Sequence, residues 1–214
     1  MMDKSILDRT FWGIESSKIA ILVPTRDITY SHFSYSLNQL IKFSTQLGLD
    51  VYTFYDSSTI LLNQRNNLVK MALELQAEYV LWLDSDMVFP SSTLTRLLSH
   101  KKDIIGCNYM RRSLPLKTVT YTDIRNWNSW VPLQTDQDII EVDGTGMGCL
   151  LMKTEVFTKL KKPYFKFTYQ PLTDDHLGED FTLLQDLKKL EYKIYVDSVL
   201  SRDLRHLGTF GFGI

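Results

Sequence analysis

Two cysteines, Cys107 and Cys149, are all that the 214 residues contain. They stand far apart in the chain and lack the spacing of a metal-ligand pair, so they read as buried free thiols of a reducing compartment rather than a disulfide. No apolar run approaches the length of a membrane span. The stretch from Met1 to Lys18 is charged and has no apolar run long enough for a signal peptide, so the expectation is a soluble, cytoplasmic protein. A formal net charge of -1 argues against a generally basic nucleic-acid surface. Internal repeats and low-complexity linkers are missing too. What remains is an ordinary globular composition, 44% hydrophobic and 23% charged, which suits one domain with a substantial core.

The chain is organised around Tyr79-Val-Leu-Trp-Leu-Asp84-Ser85-Asp86. An apolar run of this kind is a strand covered on both faces, and its carboxylates mark where it leaves the core. If the extended geometry runs on, alternation puts Asp84 and Asp86 on one face and Ser85 on the other. Two like charges so placed call for a cation between them, and a hard divalent metal with oxygen ligands fits. The plainer reading, that one aspartate caps the helix starting near Ser91, is weakened because Ser91 and Ser92 can serve as caps.

Residues 18 to 106 alternate strand and helix patterns. Strands are expected at Lys18 to Val23, Asp50 to Tyr55, Tyr79 to Leu83 and Asp103 to Gly106. Helices are expected at Ser31 to Leu47, at Leu61 to Ala77 with Leu61, Leu68, Met71, Ala72 and Leu75 inward, and at Ser91 to Ser99. This order predicts an α/β domain with a mostly parallel sheet and helices on both faces. Ligands of such sheets bind beyond the carboxyl ends of the strands. The loops Pro24-Thr25-Arg26-Asp27, Asp56-Ser57 and Asp84-Ser85-Asp86 all fall on that rim and make a nucleotide-sized site.

After Gly106 the alternation fails. Asn108 to Asp143 reads as an irregular segment covering the site, with short strands near Lys117 to Tyr121 and Asp138 to Val142. Gly144-Thr-Gly-Met-Gly148 is a glycine-lined turn entering a strand, placed for close approach to a ligand or another segment. A short helix at Thr154 to Leu160 and a strand at Tyr164 to Thr168 follow. Gly178-Glu179-Asp180 opens a helix with Phe181, Leu184, Leu187 and Leu190 inward. A last strand at Lys193 to Val196 precedes His206 and a Phe-Gly-Phe-Gly tail.

Asp84/Asp86, Glu179/Asp180 and His206 together could form an active site. A carboxylate and an imidazole suit Mn²⁺ or Mg²⁺ carrying a diphosphate, and a second carboxylate could deprotonate an incoming hydroxyl. Asp180 is the candidate base and Glu179 its rival. Each feature alone has a bland alternative: acidic residues favour a helix's first turn, and Arg65 on a helix face would ordinarily be solvated. Trp127 and Trp130 could stack on a sugar or simply pack.

Leu81-Trp-Leu-Asp84-Ser85-Asp86-Met-Val-Phe-Pro90 resembles the Asp-x-Asp segment of the GT-A glycosyltransferases, especially family-2-like ones. The later order is similar as well: Asp103-Ile-Ile-Gly106, Gly146-Met-Gly-Cys-Leu-Leu-Met152 with Val156-Phe157, Gly178-Glu179-Asp180, and His206-x-Gly208. The resemblance spans residues 18 to 208, with 1–17 as an extension, 18–106 as the nucleotide-binding half and 107–214 as the acceptor half and tail. It implies a GT-A fold and transfer of a sugar from a nucleoside-diphosphate sugar (UDP or GDP) to a hydroxyl-bearing acceptor. It also implies that Asp86 binds the metal, that Asp84 contacts ribose or the metal shell, and that His206 is a further metal ligand. Pro24, Thr25 and Asp56 would line the nucleoside pocket beside Arg65 and Ser85, and Asp180 would be the base of an inverting enzyme. Two other readings compete. One is a haloacid-dehalogenase-like phosphohydrolase with Asp84 as nucleophile. The other is a nucleotide-sugar-binding module without turnover.

Overall fold

A computed structural model describes residues 18–126, 128–170 and 174–208. The expectations for the N-terminal extension 1–17, Trp127 and the Phe-Gly-Phe-Gly tail lie outside the described residues. In chain order the elements are β1 (Lys18–Pro24), α1 (Ser31–Gln46), β2 (Asp50–Asp56), α2 (Leu61–Leu75), β3 (Tyr79–Leu83), β4 (Met87–Val88), α3 (Thr93–Ser99) and β5 (Ile104–Gly106). There follow β6 (Ile139–Val142), β7 (Cys149–Lys153), a 3-10 turn (Thr154–Lys159), β8 (Thr168–Gln170), β9 (Asp175–Leu177), α4 (Glu179–Lys189), β10 (Ile194–Asp197), α5 (Ser198–Ser201) and β11 (Arg205–His206).

Seven strands form the central sheet in the order β2-β1-β3-β7-β5-β10-β6. β2, β1 and β3 run parallel, as do β5 and β10, while β7 and β6 oppose their neighbours. The sheet is thus mostly parallel in strand direction, though mixed. β7 slots between β3 and β5, so these two do not pair directly as consecutive parallel strands would. The reversed direction of β7 has a consequence for the site: its first residue, Cys149, faces Leu83, the last of β3. The glycine turn before β7 is therefore delivered to the rim where β3 releases its carboxylates.

Both faces are covered. Ile19, Ile21 and Val23 of β1 pack with Phe33, Leu37 and Leu40 of α1 and with α3, whereas Ala20 and Leu22 face Leu68, Val69 and Ala72 of α2. β3 divides likewise, with Leu81 and Leu83 on the first side and Val80 and Trp82 on the second. Burial on both sides explains why these strands are apolar throughout.

Several expectations need correction. Leu61 is 40% exposed, and α2 instead buries Gln64 and Arg65 beside Leu68. Leu190 is exposed and Phe181 half-buried; α4 buries Glu179, Thr182, Leu183, Leu184 and Leu187. Polar groups can take these inward positions because they find partners inside. The strand expected at Tyr164 to Thr168 is displaced to Thr168–Gln170, and Lys117 to Tyr121 makes only isolated bridges to Met110, Trp130 and Gly144. Ser92 is the N-cap residue of α3 but makes no side-chain capping bond.

Candidate active site

The strand ends at Leu83, and the chain then turns, with the Met87 N–H bonded to the Asp84 carbonyl at 3.1 Å. Extended alternation therefore does not carry through Ser85, and the two aspartates look different ways. Asp84 Oδ1 faces Nη2 of Arg65 at 3.4 Å. Asp86 Oδ2 faces His206 Nε2 at 3.5 Å and Arg112 Nη1 at 3.0 Å.

Arg65 is buried, its guanidinium 5.7 Å from the ring centroids of both Trp82 and Phe165. Its Nε lies 3.4 Å from Glu179 Oε1. One cation thus balances Asp84 and Glu179. Burial works against the charged arginine, but Asp84 and Glu179, with Asp180 beyond them, outweigh it and raise its pKa. Burial also pushes the Asp84 carboxyl up, and Arg65 only partly offsets this.

His206 arrives through strand pairing. β11 lies antiparallel to β4, with His206 opposite Met87, and the Leu207 N–H reaches the Asp86 carbonyl at 2.8 Å. His206 Nδ1 is 2.9 Å from the Met110 carbonyl oxygen, which can only accept, so Nδ1 carries a hydrogen and Nε2 of the neutral ring presents its lone pair. Tyr109 supports the ring edge-on at 5.3 Å. Burial would lower the imidazole pKa, but the bonds to Asp86 and Met110 raise it. Asp86 shifts the other way: burial opposes its charge, and His206 and Arg112 more than compensate.

Two adjoining cavities meet at Arg112 and His206. The first, about 330 Å³, is lined by Pro24, Thr25, Arg26, Thr59, Leu61, Gln64, Arg65, Asp84, Ser85 and Asp86. The second, about 210 Å³, holds Asp180 with Tyr109, Arg111, Tyr121 and Phe181. Burial, then repulsion from Glu179, pushes the Asp180 carboxyl up to about 6. The structure thus separates the two acidic neighbours: Glu179 pairs with Arg65, and Asp180 opens into a cavity.

The glycine turn serves packing. A Cβ at Gly146 or Gly148 would lie 2.6 Å from the Tyr109 hydroxyl, and one at Gly144 would lie 2.7 Å from Phe181. The Gly148 N–H donates to the Tyr109 hydroxyl at 2.8 Å. The close approach is to another segment of the protein.

Asp56 is not among the residues lining the first cavity. Its carboxylate accepts from the Ser58 N–H and from Asn67, both at 2.9 Å. Gln64, unremarked in the sequence, fills that role in the loop framework by donating to the carbonyls of Thr25 and Ser58. Arg112 was also missed as a site residue. Neither has a periodicity or motif to flag it; each is found only when loops meet. Asn66 is structural, bonded to the backbone of Tyr164 and Phe165.

Among the described residues no three His, Cys, Asp or Glu side chains stand together as a ready cage for an ion. Asp86 and His206 nevertheless fit a hard divalent cation. Asp86 Oδ1 is buried with no hydrogen-bond partner among the described residues, and the imidazole beside it is oriented by a backbone carbonyl, as metal-ligating histidines are.

The Anp1 family model matches residues 59–139. That span includes Arg65, Asp84, Asp86 and Arg112 and ends before Asp180 and His206. The mannan polymerase complex subunit mnn9 of Schizosaccharomyces pombe is 37% identical over 76 residues, which is 35% of this chain and 21% of that protein. The chain thus spans about a fifth of the length of the curated relative it matches. Among solved structures, A197 from STIV aligns with a TM-score of 0.55 at 17% identity, covering 92% of this chain and 97% of that one. A variant of Drosophila β-1,4-galactosyltransferase 7, in complex with manganese, UDP-Gal and xylobiose, aligns with a TM-score of 0.54 at 13% identity, covering 90% and 71%. The architecture is GT-A-like, as the sequence resemblance implied. No helix among the described residues is long and apolar enough to cross a membrane.

Proposed function

We propose that this chain is a glycosyltransferase domain that moves a sugar from a nucleoside-diphosphate sugar to a hydroxyl-bearing acceptor, with a divalent cation and with inversion. The observation that carries the reading is the pair of adjoining cavities, one rimmed by Asp84 and Asp86 and the other holding Asp180, with His206 on their shared wall. The matched relatives support a glycosyl-transfer role, and the galactosyltransferase was captured with manganese and UDP-Gal.

In this reading the first cavity takes the donor, with Pro24, Thr25 and Ser85 against the nucleoside side. Asp86 and His206 hold the cation, and Asp84 faces the ribose or the metal shell while Arg65 fixes its position. When bound, Mn²⁺ or Mg²⁺ supplies positive charge to a diphosphate that becomes more negative as it leaves. The acceptor enters the second cavity. Its hydroxyl proton passes to the Asp180 carboxylate, the oxygen forms a bond to the anomeric carbon, and the bond from that carbon to the diphosphate breaks. A carboxyl with a pKa of about 6 is suited to that transfer near neutral pH. Glu179, committed to Arg65, holds the start of α4 in place and is a positioning residue.

The phosphohydrolase reading requires Asp84 as a free nucleophile and a cation to orient phosphate. Arg26, Arg65 and Arg112 line that cavity and could supply the cation, but Asp84 faces the Arg65 guanidinium and is paired rather than free to attack. The fold is that of the GT-A proteins. The experiment is incubation with UDP- and GDP-sugars in Mn²⁺ or EDTA, following nucleoside diphosphate release. Metal-dependent release supports the transferase. Binding without release from any acceptor panel favours a module without turnover, and phosphate release from phosphomonoesters would overturn the proposal.

A further inference from the structure

Arg112 stands on the wall shared by the two cavities. Its side chain is 51% exposed, and its Nη1 reaches inward to Asp86 Oδ2, a carboxylate only 16% exposed. The same nitrogen lies 3.4 Å from the Leu207 carbonyl, so the guanidinium rests lightly on the strand that brings His206. The neighbouring arginines are placed differently. Arg111 Nη1 is held by the Tyr121 hydroxyl at 3.2 Å, and Arg26 pairs with the exposed Asp27.

A guanidinium at Asp86 Oδ2 and a divalent cation held by Asp86 and His206 compete for the same carboxylate. Two cations in one such place repel, so a metal that binds there displaces the arginine or pays for its presence. The displaced group would lose little, because a half-exposed ion pair is weakly held. It would also find an anion within reach, since a diphosphate in the first cavity presents oxygens that a planar guanidinium binds two at a time. We propose that Arg112 is an exchangeable counter-ion of the donor site, holding Asp86 until a divalent cation takes that carboxylate and then turning onto the donor diphosphate. The inference rests on the proposed donor and metal site and adds a diphosphate-binding residue to it.

The exchange makes Arg112 act with opposite signs on two ligands, which a merely structural side chain would not. Mn²⁺ binding is read by electron paramagnetic resonance, and UDP, GDP and UMP binding by calorimetry with Mn²⁺ present. Arg112→Met is expected to bind Mn²⁺ alone several-fold more tightly. It should bind the better of UDP and GDP in Mn²⁺ about tenfold more weakly, the scale of one charge-assisted hydrogen bond, with UMP changed less. Arg112→Lys keeps the charge and should recover part of both effects. If the wild type binds Mn²⁺ with UDP or GDP but Arg112→Met shifts neither affinity, or both in the same direction, the exchange is wrong and the donor site stands. If the wild type binds no nucleoside diphosphate in Mn²⁺, the donor site and the exchange fall together.

Discussion

Arg65 Nε stands 3.4 Å from Glu179 Oε1, joining the inner face of α2 to the first residue of α4. The same guanidinium holds Asp84 from its other end and lies against the rings of Trp82 and Phe165. A buried charge with two carboxylate partners and aromatic walls does not swing freely. It ties the end of β3 to the start of α4, and so sets the spacing between the Asp84–Asp86 rim and Asp180.

Removing this cation should be costly. Arg65→Met leaves Asp84 and Glu179 facing each other without compensation, and a loss of about 3–5 kcal/mol is expected from breaking a buried pair. Urea denaturation at pH 7 checks this. The double variant Arg65→Met/Glu179→Gln should recover part of the loss, and no recovery would mean that packing against Trp82 and Phe165 carried the effect.

Asp86→Ala is expected to leave the fold intact and abolish metal-dependent nucleotide binding. In the wild type, a ligand at about a hundred times its Kd raises stability by about 2.7 kcal/mol. A thermal-shift series with UDP or GDP and Mn²⁺ should show that rise in the wild type and none in the variant. An equal rise in both would remove Asp86 from the metal site.

Asp180 ties activity to stability. Its carboxyl is pushed up to about 6 in the folded chain, above the ordinary aspartate pKa of about 3.9, so the folded state binds its proton more tightly than the unfolded chain. Stability is then lost as pH rises from the unfolded value through about 6, and the penalty persists above it. Asp180→Asn should therefore be more stable than the wild type at pH 7.5, by about 1–3 kcal/mol, with the gain vanishing near pH 4. The same variant should keep donor binding and lose transfer. In the wild type, kcat/KM should rise with pH and level off above about 6. Transfer by Asp180→Asn at the wild-type rate would end the assignment of this residue as base.

The glycine turn offers a steric test. Gly146→Ala drives a Cβ to 2.6 Å from the Tyr109 hydroxyl, with the ring carbon behind it at 3.3 Å, and should cost about 1–3 kcal/mol, as overpacking does. Tyr109→Phe removes the obstructing oxygen, so the double variant should lose less than the two single changes summed. Additive losses in denaturation would place the strain elsewhere.

Much of this was legible in the chain. Burial on both faces leaves β1 and β3 apolar throughout, and helical spacing sets Phe33, Leu37 and Leu40 on one stripe, so the succession of strands and helices up to β5 and their layering follow from periodicity. The carboxylates at 84 and 86 and the acidic start of α4 could be picked out because charge at the end of an apolar run is conspicuous. The pairings could not. Periodicity says nothing about which buried position will find a counter-charge, so the sequence leaves Arg65 either solvated or beside the nucleoside pocket, and Glu179 a rival base. Alternation said nothing of the turn at Ser85 that sends Asp84 to Arg65 and Asp86 to His206. Only the antiparallel return of β7, and the pairing of β11 with β4, brought Tyr109, Arg112 and His206 to one rim. Local propensity is written in neighbouring residues, whereas the partner of a charge is decided by chain crossings that no neighbouring residue encodes.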